Sequence, residues 1–190
     1  MKNKEPKKLG IILVTVFIAF SMILSIFAIV LDNQGSQIRY NNYKFTLTNE
    51  GYKVKIDNKW FTFQYYPGQL ENIYVDDVIK NDLKNSMAYV ILFNPLENSE
   101  YLQYIDFARF DFDIKIDKQV YFAITNESDK YLLPVLSCNN ATAENPFLFF
   151  NIEDNTSITK NNNCIMLNAR GTDIIALEER IVYIILGVMN

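Results

Sequence analysis

Histidine is absent from the 190-residue chain, and its absence excludes several kinds of chemistry. The chain cannot build a Ser-His-Asp or Cys-His nucleophile, an HExxH zinc site or a histidine-ligated haem. Glycine is scarce as well, with only six residues and no Gly-rich phosphate-binding motif, which argues against nucleotide chemistry. The sequence therefore predicts no cofactor and no metal ion, and it offers no residue that can be named as catalytic.

Positive charge is scarce beyond the first residues. From Asp32 onward the chain has 14 Lys and Arg against 21 Asp and Glu, a formal charge of −7. A nucleic-acid partner is not expected, because phosphate backbones bind basic surfaces. The composition is 49% hydrophobic and 14% aromatic, which is sufficient for the core of one ordinary domain.

The N-terminal region contains a long apolar run. Leu9 to Leu31 are 23 residues without a charge, and as a helix at about 1.5 Å per residue they would span roughly 34 Å. This predicts an uncleaved transmembrane helix over residues 9–31, in contact with the lipid bilayer. A signal peptide cleaved after Ala28 is the alternative, although the apolar part of a signal peptide is normally about 7–15 residues long.

Lysines flank this run on one side only, at Lys2, Lys4, Lys7 and Lys8. The positive-inside rule then places the N-terminus in the cytoplasm. We expect a single-pass cell-membrane protein with a cytoplasmic tail over residues 1–8 and a spacer over residues 32–37. Residues 38–190 are expected to form an extracytoplasmic domain.

The domain sequence predicts an α/β fold. Residues 43–65 alternate apolar and polar side chains around a turn at Asp57-Asn58-Lys59, which indicates an antiparallel β start. Met87–Phe93 is a continuous apolar run typical of a buried strand. The last predicted helix follows Gly171-Thr172-Asp173, with Thr172 as its N-cap, and packs against the sheet.

The stretch from Ser99 to Ile116 fits two structures. As a helix over residues 98–114 it would connect two parallel strands, Met87–Phe93 and Gln119–Thr125, in a βαβ unit of a mixed sheet. As a strand, residues 109–117 would alternate strictly and pair with residues 119–125 in a hairpin. The apolar flanking runs favour the helix.

The only two cysteines are Cys138 and Cys164, and we expect a structural disulfide between them. The predicted location lies in an oxidising compartment, where disulfides persist. A redox function is the weaker alternative, because redox dithiols commonly have C-x-x-C spacing. Two free buried thiols are a further alternative.

Several other polar and aromatic residues are candidates for modification, cation binding or ligand binding. Candidate glycosylation sequons occur at three asparagines, Asn126, Asn140 and Asn155. The acidic residues of one stretch offer oxygen ligands for a hard cation, although solvated carboxylates look the same in sequence; they are Asp106, Asp111, Asp113 and Asp117. Glu178-Glu179-Arg180 is expected to form the polar face of the last helix, with a catalytic carboxylate pair as the weaker alternative. Aromatic residues in the first strands suit a core better than a ligand platform; they are Tyr40, Tyr43, Tyr52, Trp60, Phe61, Tyr65 and Tyr66.

Several short segments together resemble a loose group of uncharacterised single-pass membrane proteins from archaea with reduced genomes. The segments are the Lys-rich start with its apolar run, Tyr43-Lys44-Phe45, Trp60-Phe61-Thr62-Phe63, Tyr66-Pro67, Cys138-Asn139-Asn140-Ala141-Thr142, Cys164-Ile165 and Leu186-Gly187-Val188-Met189. The resemblance implies an archaeal surface location and an outer domain with two cysteines. It implies no activity.

Three functions remain open from the sequence. The first is a non-catalytic envelope protein that binds or assembles with an envelope protein or glycan. The second is a membrane-tethered enzyme that uses carboxylates, and the third is a thiol-disulfide protein. A deep pocket lined by buried carboxylates would favour the enzyme, and an exposed apolar patch would favour a partner surface.

Overall fold

The computed structural model describes residues 6–32 and 36–190, which belong to two compact units, Met1–Gln37 and Ile38–Asn190. Residues 1–5 of the predicted cytoplasmic tail and residues 33–35 of the predicted spacer lie outside the described residues.

The first unit contains a helix, α1, over Pro6–Asp32. Within the described residues, no helix combines enough length with enough apolar character to cross a membrane. The prediction of a transmembrane helix over residues 9–31 is therefore wrong, and with it the fold class that began with such a helix. A helix that crosses a bilayer needs about 20 consecutive apolar residues, and no helix of the described residues meets the length and apolarity that this requires.

The second unit is a mixed α/β structure with two sheets. The first sheet has the strand order β1-β2-β3-β4, and its strands are β1 (Gln37–Tyr40), β2 (Tyr43–Thr48), β3 (Gly51–Ile56) and β4 (Lys59–Phe63). Asp57 and Asn58 link β3 to β4, with φ angles of 47° and 68°. Positive φ at both positions matches a tight hairpin turn and fits the short polar side chains there. The predicted antiparallel β start is confirmed for β2, β3 and β4.

The second sheet is mixed and has the order β6-β5-β7-β9-β8. Its strands are β5 (Ala88–Phe93), β6 (Gln119–Ile124), β7 (Phe147–Ile152), β8 (Ser157–Asn161) and β9 (Cys164–Ala169). β6, β5, β7 and β9 are parallel to one another, and β8 is antiparallel to β9. Every residue of β5 is buried, as expected for a central parallel strand covered on both faces.

A helix, α3 (Ser99–Lys115), connects β5 to the parallel strand β6. The predicted βαβ unit is therefore confirmed, and the alternative strand over residues 109–117 is wrong. Asn98 begins the helix, since its side chain accepts a hydrogen bond from the backbone N–H of Glu100. Such a cap compensates for the poor helix propensity of the Phe, Ile and Asp residues that follow.

Two further helices, α2 (Asp77–Asn85) and α4 (Asp173–Ile185), complete the domain. The packed C-terminal helix is confirmed, and it contacts α2, α3 and β9. Thr172 precedes α4, but its side chain makes no capping hydrogen bond. The hydroxyl of Thr156 instead donates to Asp173 in the first turn of α4, with an O–O distance of 2.6 Å.

The two faces of the five-stranded sheet are covered differently. One face belongs to the main core, which includes Tyr89, Ile91 and Phe93 of β5 together with apolar residues of the helices and of the first sheet. The other face, with Val90 and Leu92, forms a smaller cluster covered by the chain around residues 136–141. That covering segment contains Cys138, which is bonded to Cys164 of β9.

Candidate functional site

Helix α4 carries three consecutive charged residues into the interior. Glu178 is 1% exposed, Glu179 is 0% exposed and Arg180 is 5% exposed. The expectation that they form a solvated polar face is wrong. The reason is that α4 packs against other elements on more than one side: its Tyr183 stacks on Phe63 of β4 with ring centroids 4.1 Å apart, while other residues meet α2, α3 and β9.

Helix α3 supplies the groups that face the two glutamates. Lys115, which is 7% exposed, pairs with Asp111 one helical turn earlier. Its Nζ also lies 3.7 Å from Oε1 of Glu179 and 4.4 Å from the ring centroid of Phe63. We call Asp111, Lys115, Glu178 and Glu179 the carboxylate-lysine cluster.

Glu179 also binds the chain that follows β4. The backbone N–H of Gln64 donates to its Oε1 with an N–O distance of 2.6 Å, and the N–H of Tyr65 donates to Oε2 at 2.8 Å. Charge-assisted hydrogen bonds of this kind are the stronger ones in proteins. Glu179 therefore ties α4 to the end of the first sheet.

Glu178 has no such partners. Both of its side-chain oxygens are buried, and within the part of the chain that the structure describes neither has a hydrogen-bond partner as a carboxylate. One carboxylate oxygen each from Asp111, Glu178 and Glu179 lie within 4.8 Å of one another. A protonated Glu178 can hydrogen-bond to Asp111, so the cluster offers a place for either a proton or a cation.

Burial dominates the acid-base properties of the cluster. Loss of hydration raises the pKa of Glu178 well above its usual range and raises the pKa of Glu179 to about 7. For Lys115, burial acts to lower the pKa, but the charges of Glu178, Glu179 and Asp111 outweigh it, and the pKa is raised. The ammonium form of Lys115 therefore persists inside the domain.

A surface groove opens beside the cluster, between β4 and α3. It encloses about 510 Å³ and is lined by Lys59, Trp60, Phe61, Thr62, Asp111, Ile114 and Lys115. Trp60 is 62% exposed and Ile114 is 82% exposed. Asp111 and Lys115 thus belong to both the groove and the carboxylate-lysine cluster, whereas Glu178 and Glu179 lie behind them.

The predicted disulfide between Cys138 and Cys164 is confirmed, with Cα atoms 5.3 Å apart. Cys164 is fully buried, so a thiolate from solvent cannot reach its sulfur without local opening. This geometry fits the structural reading better than a thiol-disulfide function.

The acidic residues proposed from the sequence do not come together. Asp106 pairs with Arg109 and accepts a hydrogen bond from Tyr131, and Asp117 pairs with Lys59. Asp113 is exposed. Only Asp111 enters a cluster, and its neighbours there come from α4, about 65 residues further along the chain.

The other candidate residues are distributed over the surface and the core. All three sequon asparagines, Asn126, Asn140 and Asn155, are exposed. Of the aromatic residues of the first sheet and the loop after it, several pack in or against the core; they are Tyr40, Tyr43, Tyr52, Phe61, Tyr65 and Tyr66. Trp60 differs because it faces the groove.

No protein family, curated protein or solved structure is similar enough to the chain to count as a match.

Sequence reasoning missed the carboxylate-lysine cluster because its members come from two helices that are distant in the chain. One signal was present: from Ile181 onward α4 is nearly apolar, which indicates a helix buried on all sides. A charged triplet directly before such a stretch belongs to the same buried helix.

Proposed function

We propose that the domain of residues 38–190 is a non-catalytic binding protein that holds an extended segment of a partner protein in the groove between β4 and α3. The observation that carries this proposal is the exposure of two large apolar residues, Trp60 of β4 and Ile114 of α3, that line one groove. Exposed aromatic residues next to a concave surface are typical of binding sites.

The position of β4 supports an extended partner. Among the described residues, β4 is the last strand of its sheet, and β3 is its one strand partner. An edge strand presents backbone N–H and C=O groups that another strand can pair with. Four consecutive residues of β4, Lys59 to Thr62, line the groove, so a peptide lying there would meet both the edge of the strand and the apolar walls.

The disulfide supports a location outside the cytoplasm, because disulfides are stable in oxidising compartments and rare in reducing ones. We include an extracytoplasmic location in the proposal. A reporter fused after Asn190 should then be active only on the outer side of the cell membrane. Activity of the reporter in the cytoplasm would contradict this part.

Trp60 is the only tryptophan of the chain, so its fluorescence reports directly on the groove. We expect ten-residue peptides of alternating apolar and polar sequence to shift the emission of Trp60. Labelled peptide, followed by fluorescence anisotropy, should bind the Ile114→Asp variant at least about tenfold more weakly, since a charge replaces an exposed apolar side chain that lines the groove.

Leu132→Asp is the matched control. Leu132 is 94% exposed, lies in the segment between β6 and β7, and does not line the groove. Peptide binding to this variant should equal binding to the unmodified chain. If no peptide shifts the Trp60 emission at millimolar concentration, or if both variants bind alike, the groove is not a peptide site.

A second candidate function, a carboxylate-dependent enzyme, is favoured by one observation. The pKa of Glu179 is raised to about 7 by burial, and raised carboxyl pKa values are typical of general acids and bases. However, the groove is lined by Asp111 and Lys115 and not by Glu178 or Glu179. Because the carboxyls with raised pKa values do not line the cavity where a substrate would lie, we place this function second.

A further inference from the structure

The carboxylate-lysine cluster is not balanced in charge. Asp111, Glu178 and Glu179 supply three carboxylates, and Lys115 supplies one ammonium. If all four are ionised, two negative charges remain without a counter-charge in a region where the glutamates are at most 1% exposed. An excess of buried charge is unfavourable unless a proton or a cation neutralises it.

In the described part of the chain, one member of the cluster, Glu178, also lacks hydrogen bonds that the other members have. Glu179 accepts two backbone N–H groups, and Asp111 pairs with Lys115. Glu178 is as deeply buried as Glu179, yet as a carboxylate both of its oxygens lack a hydrogen-bond partner among the described residues. Buried oxygens without a donor are uncommon in proteins, and an unplaced ion is one explanation for them.

We propose that Asp111, Glu178 and Glu179 bind one hard divalent cation, of the class of Ca²⁺, Mg²⁺ or Mn²⁺. The three ligand oxygens lie within 4.8 Å of one another. Cation–oxygen distances of about 2.0–2.6 Å place two ligands of one ion at most about 5 Å apart, so one ion can contact all three carboxylates.

The groove provides the path to this site. Asp111 lines the groove and belongs to the cluster, so a cation that enters from solvent meets Asp111 first. Lys115 occupies the same wall and pairs with Asp111 and Glu179. Its ammonium is the charge with which the cation competes for those two carboxylates. This inference does not depend on which ligand binds the groove.

The test uses the full chain at pH 8 and Mn²⁺ alone, with free Mn²⁺ measured by electron paramagnetic resonance. We expect saturable binding of one Mn²⁺ per chain. Glu178→Gln and Asp111→Asn should each weaken binding at least about tenfold, since each removes a charged ligand of the ion. Ca²⁺ and Mg²⁺ should raise the thermal unfolding midpoint of the unmodified chain and not that of Glu178→Gln.

Asp113→Asn is the matched control, because Asp113 lies on the same helix but is exposed and outside the cluster. Its Mn²⁺ affinity should be unchanged, as should that of Trp60→Ala, which alters only the groove. Glu178 has no hydrogen bond to lose as a carboxylate, so Glu178→Gln should fold, and circular dichroism verifies this. Absence of saturable Mn²⁺ binding, or equal affinity in folded Glu178→Gln, would overturn the proposal.

Discussion

The two faces of the five-stranded sheet are stabilised in different ways. The helix-covered face is shared with a large core that tolerates a buried cluster of charged groups. The loop-covered face has few buried residues, and a segment without regular strands or long helices lies over it. There a covalent bond between Cys138 and Cys164 fastens the cover. The extensively packed helix-covered face can therefore accommodate buried charge, whereas the loop-covered face, with few buried residues, is stabilised by a disulfide.

The largest expected effect concerns the crosslink. Cys138→Ala and Cys164→Ala should each lower the free energy of unfolding by about 3–4 kcal/mol, because a bond that spans 26 residues of sequence restricts the unfolded chain. The double variant should be little worse, since either change already removes the bond. Urea unfolding measures this, with the chain reduced by dithiothreitol as the matched comparison. If the variants and the reduced chain unfold at the same urea concentration as the oxidised chain, packing alone keeps the segment of residues 136–141 in place.

The next effect concerns the helix-covered face and its response to pH. The pKa of Glu179 is raised in the folded state from about 4.5 to about 7, so the folded chain binds a proton more tightly than the unfolded chain. The stabilisation is present below pH 4.5 and is lost as the pH rises through about 7, a loss of about 3 kcal/mol for the cation-free protein.

Urea unfolding at several pH values, in the presence of a chelator, checks this direction. The pKa of Glu178 is raised by burial as well, so this residue also makes the free energy of unfolding fall as the pH rises. A free energy of unfolding that rises between pH 4.5 and 7 would mean that the cluster is hydrated in solution, and the contrast between the two faces would disappear.

A smaller effect is expected for Glu178→Gln. At pH 8, without divalent cations, a neutral amide replaces a buried carboxyl whose oxygens have no donor. We expect a gain of about 1–3 kcal/mol in the free energy of unfolding, since an unpaired buried charge is removed. At pH 4.5 the variant and the unmodified chain should be alike. Asp113→Asn is the control and should show no gain, and a loss of stability for Glu178→Gln would show that the carboxylate is paired.

The smallest effect is expected at an exposed residue of the segment between β6 and β7. Leu132 is 94% exposed, so Leu132→Ser should change the free energy of unfolding by less than about 0.5 kcal/mol. Ile165→Ala, at a fully buried position of the main core, provides the contrast with an expected loss of about 2–5 kcal/mol. If Leu132→Ser lowered the free energy of unfolding as much as Ile165→Ala, the side chain of Leu132 would be buried in solution.

Local patterns in the sequence predicted much of the second unit. The Asp57-Asn58 turn and the apolar strand β5 were predictable because each depends on residues that are close together in the chain. The disulfide was predictable because the chain has only two cysteines. The βαβ unit followed from two apolar runs and the right-handed crossover rule. The predicted transmembrane helix over residues 9–31 was the exception, because no helix of the described residues is long and apolar enough to cross a membrane.

The carboxylate-lysine cluster and the groove were decided only by the tertiary structure. Asp111 and Lys115 lie on α3, Glu178 and Glu179 lie on α4, and Trp60 lies on β4. In the sequence each charged residue has the pattern of a solvated helix face, and the helix period alone cannot tell which side another element will cover. Burial of α4 by the other helices and the sheets removed the water from Glu178 and Glu179. The sequence determined which helices and strands form, and their packing determined which charges are buried together.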